Sequence, residues 1–420
     1  MQSMRDFNSH TASQNVPSSN SLKYPNFRLL WITTGLVAGG TWFQQVTLGW
    51  LAYELTRSPL HVAGVVGIRT LPLLLSPITG VLADRVDRKK LLVVDQALVT
   101  VLVFAFALLL LADLHIIWHL YAFALAFGFL WAINNPVRYI LVANTVPEQA
   151  LMHATAMVSM AFNAMRALGP AVGGFVIAYL GPGVNFLIQS ILFLIAFLLI
   201  YKMKTPYYTA NRSITQKTSP FRNLTEGFFH VIKDPITRII TLMTFAVSFF
   251  MLAIVFNQLP VYTAEVLFNE DGTYLGILMM SLGVGGFIGT AIIAYFASYK
   301  RKGLLASSSF LFSAICVITL SQVTNLWIAI VVLILQQMFM QIVMTTHMTI
   351  INTVTPDEIR GRVVGVYQME IGMLPFGGLL AGWISSIYGV DQALLVSGLT
   401  GFAIILFASI FIPQYRKIVL

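Results

Sequence analysis

Long apolar runs separated by short polar breaks occupy almost the whole chain beyond residue 22. A helix crossing about 30 Å of hydrocarbon needs roughly 20 residues. Twelve runs reach that length, over 29–52, 60–83, 91–112, 116–140, 149–180, 184–203, 236–264, 273–297, 303–321, 325–350, 360–388 and 391–413. Barrel strands would instead alternate over segments of about ten residues. Gly and Pro inside the runs fit bilayer helices, whose neighbours and trapped water satisfy the freed backbone groups. The pattern predicts an all-α polytopic membrane protein with twelve transmembrane helices.

The polar stretches set the organisation. Residues 1–22, rich in Ser, Asn and Thr, lack the apolar core and small-residue cleavage site of a secretory signal and read as a disordered tail. A second polar stretch, 204–235, divides the spans six and six, giving halves at 23–203 and 236–413 and a short tail at 414–420. Within it Phe221, Leu224, Phe228 and Ile232 recur at helical spacing behind Ser219 and Pro220, a cap and first-turn pair, which predicts an interfacial amphipathic helix.

Composition agrees: the hydrophobic fraction is 57% and the charged fraction 10%, far from soluble averages. With the N-terminus in the cytoplasm, all of the 25 Lys and Arg but Arg57, Arg69 and Arg166 fall at cytoplasmic ends or loops, as the positive-inside rule requires. Both termini are then cytoplasmic. The net charge of +9 matches anionic cytoplasmic lipid and calls for no nucleic-acid partner. Cys316 stands alone, so there is no disulfide framework. His115 and His119 are four apart, as metal ligands on one helix face could be, but the Glu of a zinc-protease motif is absent and Trp118 suggests an aromatic belt, so no metal site is expected. No nucleotide-binding loop or catalytic constellation is present, so the chain is not expected to be an enzyme or a primary pump.

The sequence also repeats. The segment starting at Pro147 aligns with that starting at Pro356, keeping Gly169 opposite Gly378, Gly173 opposite Gly382 and Tyr179 opposite Tyr388, at an offset of 209. Six spans per copy give both halves the same orientation, which suits alternating access around a central site.

The loop GVLADRVDRKKLL, with Gly80, Leu82, Ala83, Asp84, Arg85, Arg88 and Lys89, resembles the signature between spans two and three of the major facilitator superfamily, with Asp87 where that family usually has Gly. In span five ALGPAVGG, containing Gly169, Pro170, Gly173 and Gly174, resembles the antiporter signature of its exporters. Over nearly its whole length the chain is similar to the drug:proton antiporter branch that includes macrolide and enterobactin exporters. The resemblance implies two parallel six-helix halves and export of an amphipathic small molecule, a drug or siderophore. It also implies a single-chain carrier of the bacterial inner membrane, driven by the proton gradient without another cofactor. An uptake symporter, or a non-transporting assembly or sensor protein on the same fold, are the alternatives.

The resemblance assigns roles as well. Asp84 would latch onto the start of span eleven, near Ile359 to Arg362, with Gly80, Arg85, Arg88 and Lys89 completing the latch. Charges within spans are functional hypotheses by default, and these are Arg69, Arg166 and Glu370. Depth along spans two and eleven puts Arg69 and Glu370 within reach of each other, making Glu370 the expected proton carrier; a fixed ion pair is the structural alternative. Spans one, four, seven and ten line the cavity in this family. Their polar residues Gln44, Gln45, Asn134, Asn135, Asn257, Gln258, Gln336, Gln337 and Gln341 are the substrate-contact candidates, with interhelical hydrogen bonding as the plainer role.

Overall fold

The computed structural model describes residues 20–75, 86–204, 220–269, 272–295 and 299–419. Within them the chain forms α1 (Pro25–Thr56), α2 (Pro59–Thr70), α3 (Arg88–Leu111), α4 (Ile117–Thr145) and α5 (Glu148–Lys202). It continues through α6 (Pro220–Lys233), α7 (Pro235–Val247), α8 (Ala253–Glu265), α9 (Thr273–Tyr295) and α10 (Lys302–Leu320). The last elements are α11 (Leu326–Val354), α12 (Asp357–Gln368), α13 (Leu374–Tyr388), α14 (Val390–Phe411) and α15 (Pro413–Arg416). A π turn at Ser248–Leu252 joins α7 to α8, and a 3-10 turn at Met369–Met373 joins α12 to α13. Among the described residues, nine helical stretches are long and apolar enough to cross a membrane.

Local chemistry explains where these helices begin and break. Asp87 accepts from the Lys90 amide at 3.0 Å and caps α3 with an extended backbone (φ −57°). The departure from the family's Gly therefore supplies a helix cap in place of a left-handed turn. Asp234 caps α7 through the Thr237 amide at 2.7 Å, and Asn325 caps α11 through the Trp327 amide at 2.9 Å. Helix α5 runs through the expected boundary between the fifth and sixth spans, but Gly181, at φ 80° and just before Pro182, breaks it there. Helix α1, although 32 residues long, is not among the nine apolar stretches. It carries Thr33, Thr34, Thr41, Gln44 and Thr47, all buried, so its polarity is directed inward.

Helix α1 packs on α5, α3 on α4 and α5, and α10 on α11 and α14; across the linker, α2 packs on α13 and α5 on α9. Small residues let these cross-linker pairs meet backbone to backbone. A methyl group at Gly174 would stand 2.6 Å from the Gly276 Cα, and one at Gly382 would stand 2.9 Å from the Pro59 carbonyl oxygen. Nearby, the Tyr53 hydroxyl donates to Glu265 at 2.9 Å, tying the end of α1 to the end of α8. These contacts share one end of the bundle, where α1, α8 and α13 finish and α2 and α9 start.

Among the described side chains of the linker helix, Gly227 and Val231 are buried, whereas Phe228, Phe229 and Ile232 are exposed. The buried side lies on α12, where a methyl group at Gly227 would strike the Arg362 carbonyl, and Arg362 forms an ion pair with Glu226.

Candidate functional site

Of the loop-signature residues, Gly80, Asp84 and Arg85 lie outside the described residues. Arg88, in the first turn of α3, donates to Asn144 Oδ1 at 3.1 Å, which ties that loop's exit to the end of α4. Lys89 follows on α3. The start of α12, the expected docking point of Asp84, is gripped by the linker helix through Arg362 and Glu226.

The glycines of the fifth span lie at helix contacts. A methyl group at Gly169 would stand 2.7 Å from Trp42 Cβ, and one at Gly173 would stand 3.1 Å from the Phe43 Cα, so both face α1; Gly174 faces α9. Pro170 adds its carbonyl oxygen to that seam, 3.0 Å from where a methyl group on Gly276 would be. One turn before Gly169, Arg166 lies over the rings of Trp42 and Phe256, at 5.7 and 5.9 Å. It thereby touches α1 and α8 through cation–π contacts.

Arg69 and Glu370 are on separate partners. Arg69 donates to the Gln45 side-chain oxygen and sits 5.2 Å from the Phe127 ring centre. Glu370 accepts from the Ser248 hydroxyl. The 3-10 turn that follows Arg69, Leu71–Leu75, touches the turn that holds Glu370, Met369–Met373, so the two residues belong to neighbouring but distinct networks. Three of the other polar candidates bond within the protein. Asn257 donates to the Ala253 carbonyl at 2.6 Å, Gln336 to Ser313 at 3.4 Å, and Gln341 to Thr345 at 3.1 Å. Gln44 and Gln258 are fully buried with neither amide atom hydrogen-bonded, and Gln337 keeps an unpartnered oxygen.

Asn134 and Asn135 are different, because they line a cavity between α1, α4 and α5 together with Thr34, Trp131, Arg138 and Phe162. Arg138 was counted above with the cytoplasmic bases. It is instead 5% exposed, because α4 continues to Thr145 and carries it two turns inside. Its Nη1 donates to Thr33 Oγ1 at 2.9 Å and Thr34 Oγ1 at 3.3 Å, and its Nε donates to Asn134 Oδ1 at 3.3 Å. The threonine hydroxyls can accept because both donate their own hydrogens to the Leu30 carbonyl. Asn134 in turn donates to Asp95 Oδ2 at 2.5 Å, and Asp95 is 2% exposed. A side-chain amide thus separates a buried acid from a buried base. Arg138 Nη2 and Asp95 Oδ1 have no partner.

A matching constellation sits in the second part of the chain. His347 lies 209 residues after Arg138, and Thr244 lies 210 after Thr34. His347 Nδ1 is 2.7 Å from Thr244 Oγ1, and its Nε2 is 2.8 Å from the Tyr415 hydroxyl. Thr244 donates to the Ile240 carbonyl, so its oxygen accepts from Nδ1–H and Tyr415 donates to Nε2. Neither Arg138 nor His347 was singled out in the sequence. The shared offset from the Pro147 and Pro356 repeat was the signal that could have found them.

The chain is 25% identical over 374 residues to the staphyloferrin A transporter of Staphylococcus aureus, covering 86% of this chain and 90% of that one. It is 23% identical over 400 residues to the multidrug efflux pump Tap of Mycolicibacterium fortuitum, covering 93% and 96%. Its fold matches a bacterial homologue of the human lysosomal transporter Spinster, solved inward-facing and unoccupied, with a TM-score of 0.73 at 13% identity over 93% of this chain and 96% of that one. Residues 17–417 match the model of the transmembrane secretion effector family, and the chain is a member of that family within the major facilitator superfamily, a multi-pass membrane transporter and not an enzyme.

Proposed function

We propose that the protein exports an amphipathic small molecule, a drug or a siderophore, across the bacterial inner membrane by alternating access, in exchange for protons. The carrier is a monomer of twelve helices in two parallel halves with both termini in the cytoplasm. The observation that carries this reading is the closure of one end of the bundle. The Gly174–Gly276 and Gly382–Pro59 approaches and the Tyr53–Glu265 hydrogen bond all join the two parts of the chain at that end. With the N-terminus inside, that end faces outward, and its closure is what one of the two states of alternating access needs. The repeated Arg138–Thr34 and His347–Thr244 contacts support two halves built on one plan.

A susceptibility and export screen in an efflux-deficient bacterial strain, run with and without a proton uncoupler, tests the reading. Export that collapses with the uncoupler is the expected result. Failure across a broad panel of solutes would favour an assembly or sensor role, and counterflow in inverted vesicles separates export from uptake.

Proton coupling is assigned to Glu370, a half-buried carboxylate at the turn between α12 and α13. Glu370→Gln should abolish proton-driven efflux while solute binding and downhill exchange survive, because Gln still accepts from Ser248 but holds no proton. A well-expressed variant that still builds a solute gradient would move coupling to another acid. For the latch, Asp84→Asn should keep expression and cut transport severely; wild-type activity would remove that role.

A further inference from the structure

The Arg138 site holds a cation that the fold itself leaves incompletely matched. A buried charge is costly unless an opposite charge or a full set of hydrogen bonds meets it. Ion pairs join His115 to Asp113 and Arg362 to Glu226, whereas Arg138 forms none with a described residue. Its acceptors are Thr33, Thr34 and Asn134, all neutral. The closest acid, Asp95, is held off by the Asn134 amide. One face of the guanidinium, Nη2, remains without a partner, and Arg138 also forms part of the wall of the cavity between α1, α4 and α5.

That wall has a defined chemistry. Trp131, Tyr139 and Phe162 supply aromatic surface, Asn135 supplies an amide with no intramolecular hydrogen bond assigned to it, and Arg138 supplies the charge. The recess is small and would take one end of a solute: a carboxylate next to an aromatic or otherwise apolar group suits it, since guanidinium groups recognise carboxylates through charge-assisted and often paired hydrogen bonds. We propose that the transported solutes carry an anionic carboxylate and that Arg138 is the residue that binds it, with Asn135 as a neighbouring polar contact. This rests on the transport reading above and narrows its substrate class. It has an energetic corollary: an inside-negative potential drives an anion outward directly, by roughly fifty-fold at equilibrium per charge per 100 mV.

The test uses the full-length purified protein in detergent and two compounds that differ in charge alone, dansyl-phenylalanine and its amide, followed by energy transfer from tryptophan to dansyl. Wild type should bind the acid about tenfold or more tightly than the amide. Arg138→Gln should bring the two within about twofold, and Arg138→Lys should keep part of the preference as a point charge. Should Arg138→Gln fail to fold, Asn135→Asp decides, because it adds a negative charge to the wall without removing any of the hydrogen bonds of Arg138. The acid should then weaken by about tenfold with the amide almost unchanged. Equal affinities in wild type, an acid preference that survives both variants, or no binding of the acid at millimolar concentration would overturn the assignment. Failure of the transport reading looks different: the efflux screen would yield no exported solute at all, whereas export confined to neutral or cationic solutes would sink the carboxylate site alone.

Discussion

Arg138 and His347 occupy equivalent positions in the two parts of the chain, and they have opposite fates. Each is buried on its long helix, α4 or α11, and each touches the matching threonine of α1 or α7. His347 is satisfied on both ring nitrogens, by Thr244 and by Tyr415, and is 0% exposed. Arg138 has a donor to spare and lines a cavity. The plug is Tyr415, which the short α15 brings back under the bundle; there the Gly303 amide donates to the Ile418 carbonyl at 3.1 Å and holds the segment in place. The two parts of the chain thus hold two polar niches, one filled by the chain's own C-terminal residues and the other beside a cavity. Packing completes one copy; a ligand is left to complete the other.

Exchanging the residues is the strongest way to break this comparison. His347→Arg places a guanidinium in a niche whose partners are two hydroxyl groups. The cost should be about 3–5 kcal/mol, the range for a stranded buried charge, read as a large fall in the thermal unfolding midpoint or loss of monodisperse protein. A variant as stable as wild type would show that the second niche tolerates charge as well as the first.

The same contrast shows what the sequence disclosed. Apolar runs of about 20 residues announced membrane-crossing helices, nine of which stand among the described residues, because backbone groups in lipid leave few other options. The Gly173 and Gly174 spacing announced a close helix approach, and the structure has it. Arg138 was hidden because a base within a few residues of a predicted span end reads as a loop charge. Only the run of α4 on to Thr145 buries it. Asp87 was hidden for a related reason: whether it turns the loop or caps the next helix depends on where α3 starts, which composition leaves undetermined by a residue or two. Arg69 and Glu370 were legible as intramembrane charges, but their partners Gln45 and Ser248 come from other helices and depend on packing.

A smaller change sharpens the comparison from the open side. Asp95 is the acid nearest to Arg138 in its network, and Asn134 relays between them. In Asp95→Asn the side-chain oxygen can still accept from Asn134, so the geometry persists while the negative charge is lost. The guanidinium is then left with no anion nearby, and dansyl-phenylalanine should bind about tenfold more tightly than in wild type, with the amide unaffected. Unchanged binding of the acid would mean that Asp95 and the solute do not compete for the same positive charge.

The smallest effect comes from unplugging the closed side. Tyr415→Phe removes one hydroxyl and leaves the ring, which is fully buried, in place. Because Thr244 already takes the Nδ1 hydrogen, His347 Nε2 loses its only assigned donor and becomes a buried acceptor without a partner. Such a group costs about 1–3 kcal/mol, so the unfolding midpoint should fall by a few degrees. Solute binding and export should hold near wild-type levels, since the cavity by Arg138 lies on α1, α4 and α5, away from this niche. Adding His347→Leu to Tyr415→Phe should then recover part of the loss, because two apolar groups no longer strand a polar atom. A Tyr415→Phe protein that keeps its stability but loses export would reverse the comparison, making the His347 niche the working one.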